Sequence, residues 1–165
     1  MKYAIFIIFS FLLISNSSHA EKSLSKAVVY NDIEQVKNIL NNGGDVNAID
    51  SDSFREETPL IIASKKGRTK IVQLLLSKGA DHSIKEISGA TALRAAVQKG
   101  HIEVIKLLLQ AKADPESDTD GYGRSPIVWA FLYAGDNVKK YAEIINLLHI
   151  SGARCQVPKI IYKSH

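Results

Sequence analysis

Thr58 and Thr91 open two stretches that repeat one another without a gap at a spacing of 33 residues. The register carries Leu60 onto Leu93, Ala63 onto Ala96, Gly67 onto Gly100, Leu74-Leu75-Leu76 onto Leu107-Leu108-Leu109, and Ala80-Asp81 onto Ala113-Asp114. A period of supersecondary length marks a stacked array, in which no unit can bury its own apolar face and each relies on its neighbours. A third copy runs from Ser125-Pro126-Ile127 through Ala130 to Glu143-Ile144-Ile145, Leu147-Leu148 and Gly152-Ala153. Its end is displaced further than its opening, which puts an insertion between its two helices at 134–140. A fourth copy lies upstream, where Leu24, Ala27, Val36, Leu40, Gly43 and Asp45 precede Leu60, Ala63, Val72, Leu76, Gly79 and Asp81 by 36. The units are read as about 21–53, 54–86, 87–119 and 120–154, with a tail at 155–165.

Each unit reads as helix, tight turn, helix and polar loop. Thr58-Pro59 is a helix start: the hydroxyl caps an orphan N–H, and proline stands at the first helical position, where no donor is lost. Leu60, Ile61 and Ala63 then line one face of a short helix, and Gly67 suits a left-handed turn. The second helix, Lys70 to Ser77, repeats Ile71, Leu74 and Leu75 at helical spacing. Gly79 ends it at a C-cap position. Asn31 stands where Gly67 does, and asparagine is the next most tolerant residue there.

These residues resemble the ankyrin repeat family. The carriers are Thr58-Pro59-Leu60, Ala63, Gly67, Val72, Leu74-Leu75 and Gly79-Ala80-Asp81, with their copies at Thr91, Leu93, Ala96, Gly100, Val104, Leu107-Leu108 and Ala113-Asp114. Ile61, Arg94 and Val128 stand where the family usually has His, Ala92 replaces a Pro, and Lys112 stands at the Gly79 position. The resemblance implies an all-α solenoid of about four helix-turn-helix repeats, with β-hairpin fingers projecting at right angles to the helices. It also implies a non-enzymatic scaffold that binds protein through finger tips and the exposed side of the first helices. Carried over position by position, the usual contacts are Phe54, Arg55, Glu57, Lys65 and Lys66 in the second unit. The third gives Ile87, Ser88, Ala90, Gln98 and Lys99, and the fourth Tyr122, Arg124, Leu132 and Tyr133. Phe54, Ile87 and Tyr122 would fall at successive finger tips, flanked by Arg55 and Arg124; aromatic residues and Arg dominate interface hot spots. Trp129 matches an inward position and is read as core.

The first twenty residues read as an address. Lys2 precedes a run from Ala4 to Ile14 that is apolar apart from Ser10, and Ser18-His19-Ala20 offers the small residues that a signal peptidase admits. The run is about half the ~20 residues that span a bilayer as a helix. A secretory signal cleaved after Ala20 is therefore expected, and with it a periplasmic or secreted protein. The single cysteine, Cys155, excludes an internal disulfide framework and a Cys-based zinc cage.

Little else in the chain suggests chemistry. The histidines at 19, 82, 101, 149 and 165 lack metal-ligand spacing. Gly121-Tyr122-Gly123 is not a dinucleotide loop, because Pro126 stands where the third glycine would be. No nucleophile, base and orienter are placed together, so neither catalysis nor a cofactor nor a metal is expected. Lys65, Lys66, Arg68 and Lys70 cluster around one inter-helix turn with Lys99 one unit on, but Glu56, Glu57, Glu86 and Glu103 interrupt them. The formal net charge of +4 is modest, and a nucleic-acid groove needs a continuous basic stripe. These cations read as a solvated face or as a patch for an acidic protein surface. A monomer that binds a protein partner as an adaptor is the favoured reading. The alternatives are an immunity or inhibitor protein that blocks a toxic enzyme in the periplasm, and an effector delivered into a host cell.

Overall fold

The computed structural model describes residues 24–49, 54–116, 124–135 and 137–154. The expected signal at 1–20, the tail at 155–165 and Tyr122 lie outside the described residues. Within them are eight helices: α1 (24–30), α2 (Ile33–Asn41), α3 (Pro59–Lys65), α4 (Thr69–Ser77), α5 (Ala92–Lys99), α6 (Ile102–Gln110), α7 (Pro126–Tyr133) and α8 (Val138–Ile150). The pairs α3/α4, α5/α6 and α7/α8 each pack as a hairpin. First helices stack as α3, α5, α7 and second helices as α2, α4, α6, α8, giving the two-layered solenoid that the sequence implies.

The buried seam lies between the layers. Leu60, Leu93 and Ile127 from the first helices meet Ile71, Leu75, Ile105, Leu108, Ile144 and Leu148 from the second, all essentially inaccessible. Ala63, Ala96 and Ala130 stand at one register and are fully buried, where a small side chain lets neighbouring helices approach. Thr58 and Thr91 start their helices as expected, their hydroxyls accepting the Ile61 and Arg94 N–H groups at 3.3 and 3.4 Å. Ser125 has the same extended backbone but makes no such bond.

The first three inter-helix turns pass through a left-handed residue: Asn31 (φ 62°), Gly67 (67°) and Gly100 (68°). A Cβ at Gly67 would come within 2.7 Å of the His101 ring. That ring closes over the turn because His101 Nε2 lies 3.2 Å from the Lys65 carbonyl oxygen, one repeat back. Desolvation of the imidazole lowers its pKa below the ordinary 6.5; the hydrogen bond to Lys65 opposes this, and Lys140 and Lys99 add to it. In the next repeat Tyr141 does the same work, its hydroxyl donating to the Gln98 carbonyl at 3.1 Å. Gln98 holds the register of Lys65. Burial pushes the Tyr141 phenol pKa up, which keeps the proton available for that bond. The change from His to Tyr accompanies the insertion, much of which becomes helix: α8 has 13 residues where α6 has 9.

The repeats end alike. Ala80, Ala113 and Ala153 are buried. Asp45, Asp81 and Asp114 each accept the N–H two residues on, at 2.9, 2.8 and 2.8 Å. In the first and third of these the residue two after the Asp also reaches the following repeat. Asn47 Oδ1 accepts the Asp81 N–H at 2.8 Å, and Glu116 Oε1 accepts the Arg154 N–H at 2.6 Å. Among the described residues the fingers hold no β-strand. In place of the expected hairpin ladder, the Glu86 N–H donates to Ala90 O at 3.0 Å and the Gly89 N–H to Glu86 O at 2.8 Å. The Ile87 N–H donates to Arg55 O at 3.1 Å, tying one finger to the one before.

Candidate partner-binding face

The fingers carry apolar side chains outward over a charged footing. Phe54 is fully exposed and Ile87, one repeat on, is 67% exposed. Beneath them Glu57 and Glu86 are nearly buried. Each meets a cation: Glu57 Oε1 lies 2.6 Å from Lys65 Nζ, and Glu86 Oε2 lies 3.8 Å from Arg55 Nη1. The Lys65 contact lays that side chain back along α3 towards the finger base, so the ends of the first helices and the fingers share a side of the molecule. Glu86 also accepts the Ser88 hydroxyl. Arg94, buried on α5, donates through Nη2 to the Ser88 carbonyl at 3.0 Å and to its hydroxyl oxygen at 3.3 Å. Ser88 is thus exposed at its surface and held from below. Ala90 is buried at the hairpin base.

The last turns of the first helices form two further rows. Lys65, Gln98 and Leu132 share one register, and Lys66, Lys99 and Tyr133 the next. Lys66 and Lys99 are exposed, Lys65 and Gln98 half-buried. Leu132 and Tyr133 are 57% and 45% exposed. Just before α7 the Arg124 guanidinium lies 4.3 Å above the Trp129 ring, and on α7 Trp129 and Tyr133 have ring centroids 5.6 Å apart. This is a cation–π contact continued by an aromatic pair. Trp129, read as core, is partly buried against it. Of the fourteen expected contact residues, Phe54, Arg55, Lys66, Ile87, Ser88, Lys99, Leu132 and Tyr133 are exposed, Lys65, Gln98 and Arg124 are half-buried, Ala90 is buried, and Tyr122 lies outside the described residues. Glu57 lies beneath the surface it helps to form.

Around the inter-helix turns that follow Lys66 and Lys99, a shallow groove of about 430 Å³ runs past Gly67, Gly100, His101, Glu103 and Glu143. Its carboxylates are bridged by Lys106, whose Nζ lies 2.9 Å from Glu103 and 3.5 Å from Glu143. The Glu103 hydrogen bond, chiefly, raises the Lys106 pKa and keeps it charged. Among the described residues no three His, Cys, Asp or Glu side chains converge as metal ligands. The groove therefore offers a structural ion pair and a histidine that closes over the preceding turn.

The repeat period and the stacked helix pairs agree with a family model. A model described as ankyrin repeats in three copies matches residues 24–119 and, in a second placement, 80–158. The chain belongs to the ankyrin repeat family. Similar ankyrin proteins include mouse ankyrin repeat domain-containing protein 63, 38% identical over 90 residues, which are 52% of this chain and 23% of that protein. Mouse protein fem-1 homolog A-like is 34% identical over 84 residues, 51% of this chain and 12% of that one. The bovine inactive serine/threonine-protein kinase TEX14 is 36% identical over 115 residues, 70% of this chain and 7% of that one. The chain thus spans a quarter or less of these relatives. No helix among the described residues is long and apolar enough to cross a membrane.

Sequence reasoning missed the Arg94–Ser88–Glu86–Arg55 chain of contacts beneath the third finger. The available signal was Arg94 itself. An arginine between Leu93 and Ala95 on an inward-facing helix needs an acceptor, and Glu86 is the acid a short loop away. It also missed Tyr141, because the insertion hides its equivalence to His101.

Proposed function

We propose that this ankyrin array is a non-catalytic protein-interaction module that grips its partner with the finger tips and the ends of α3, α5 and α7. The observation that carries this reading is the finger row. Phe54 stands fully in solvent and Ile87 largely so, on loops braced from below by Glu57–Lys65 and Glu86–Arg55 pairs. Exposed apolar side chains on a braced loop cost solubility and add nothing to the core; an interface hot spot accounts for both. The relatives support the class of function only through their shared repeats.

Affinity capture from the native cells, with the chain beside a Phe54→Ala/Ile87→Ala variant, tests this. A specific protein retained by the wild type should be lost by the variant, each change costing about 1–3 kcal/mol of binding. The melting temperature should stay put, because neither side chain packs. Equal capture by both, or a variant that fails to fold, would return these residues to a structural role.

We further propose that residues 1–20 direct the chain out of the cytoplasm, to a periplasm or to the medium, on the basic, apolar and small-residue pattern of that segment. Mass spectrometry of the native protein should find its first residue to be Glu21; a chain still starting at Met1 would overturn the address. Exposed Lys66 and Lys99 favour one narrower form of the module, an inhibitor that plugs an acidic cleft. An enzyme so captured should lose activity when the array is added back.

A further inference from the structure

Resting on that binding reading, we propose that the ends of α3, α5 and α7 select an extended acidic segment of the partner. Its carboxylates would meet Lys66 and Lys99, and an apolar side chain would meet Leu132 and Tyr133.

The charge on this side of the molecule is sorted by depth. Its buried carboxylates, Glu57 and Glu86, are met internally by Lys65 and Arg55. Lys66 and Lys99 are exposed, and neither side chain enters an ion pair or hydrogen bond among the described residues. Of the exposed acids of this region, Glu56 belongs to the finger, and Glu103 and Glu143, past the inter-helix turns, are already met by Lys106. Two lysines at one register, one repeat apart, therefore face solvent uncompensated. At the third such position the register turns apolar, with Tyr133 beside Leu132.

Spacing sets the form of the ligand. Stacked helices lie about 8–10 Å apart. A polyproline-II chain rises about 3.1 Å per residue with about three residues per turn, so one repeat corresponds to about three ligand residues and every third side chain faces the array. The complementary pattern is acid-x-x-acid-x-x-apolar, read in either chain direction. A nucleic-acid strand fits less well, since it brings a phosphate at every nucleotide and would set one against Leu132 and Tyr133, where no cation stands in that row.

The chain, expressed at full length and purified as it accumulates, would be panned against a display library of random twelve-residue peptides. Lys66→Glu/Lys99→Glu, Lys66→Gln/Lys99→Gln and Phe54→Ala/Ile87→Ala variants would be run beside it, all with melting curves. Enriched peptides should carry two acids three residues apart and an apolar residue three further on. They should weaken about tenfold or more against the Glu variant, less against the Gln variant, and also as salt is raised. Peptides with no acidic excess, or peptides bound equally by the Glu variant, would overturn the proposal. If those peptides were still lost by the Phe54→Ala/Ile87→Ala variant, the binding-module reading would stand. An array that enriches no peptide, or that instead retains an oligouridylate lost on charge reversal, would overturn it as well.

Discussion

Lys112 stands where Gly79 stands one repeat earlier, and its backbone turns the same way, with φ at 68° against 84°. For an L-residue with a side chain that conformation costs roughly 1–2 kcal/mol. Lys112 is exposed, and nothing lies within 4 Å of a Cβ at the equivalent Gly79. Lys112→Gly should therefore stabilise the fold by about 0.5–1 kcal/mol, after the extra flexibility of glycine in the unfolded chain is subtracted. Thermal melting would show this as a rise of about 2–4 °C. His101 adds a pH dependence of known sign. Its folded-state pKa lies below the ordinary 6.5, chiefly through desolvation. Above that value the folded and unfolded chains both hold the ring neutral. As pH falls below it the unfolded chain takes up the proton first, so this residue's contribution to stability is lost on acidification. Lys140 and Lys99 oppose the charged ring, while Glu103 and Glu143 line the same groove. In melting curves at pH 7.5 and 5.0, the advantage of the wild type over His101→Gln should shrink at the lower pH. An advantage that grew would show the ring to be stabilised as imidazolium.

Helix starts differ among the repeats although their sequences look alike. Thr58 and Thr91 cap α3 and α5 through their hydroxyls, whereas Ser125 leaves the first turn of α7 uncapped. Thr58→Ala and Thr91→Ala should each cost about 1 kcal/mol, and Ser125→Ala clearly less, in chemical denaturation at fixed salt. Equal losses at the three sites would mean that burial of these side chains, not capping, sets the cost. The positions of the caps were legible in the sequence, because Thr-Pro and Thr-Ala precede an apolar run at helical spacing. The same holds for the left-handed turns at Asn31, Gly67 and Gly100, each demanded by local backbone geometry. What links one repeat to the next was less legible. The Arg94–Ser88–Glu86 contacts join a helix to its own finger, and Tyr141 reaches a carbonyl 43 residues away. No local rule fixes the Tyr141 pairing, which exists only once the helices are stacked, whereas Arg94 and Ser88 are near neighbours in the chain and the buried arginine itself was the signal. For the same reason the sequence could name Phe54 and Ile87 as finger residues, but not show that Glu57 would sink beneath them.

At the scale of the whole molecule, stability is the sum of hairpins and the faces between them. α7 and α8 cover the sides of α5 and α6 on which they stack. Removing residue 125 onward should uncover that apolar side and abolish cooperative melting; a soluble fragment that still melts sharply would show the earlier repeats to be self-sufficient. The links made through His101 and Tyr141 also have a direction. His101 and Tyr141 each send a side chain backwards, to the main chain of the preceding repeat. Peeling the last hairpin away breaks its link but leaves behind only a carbonyl that water can satisfy. Peeling from the other end strips the acceptor away from a partly buried ring, which is the costlier loss. Held by both ends and stretched, the stack should fray from its C-terminal side first, so the repeat carrying Leu132 and Tyr133 would let go of its neighbours before those carrying the lysines.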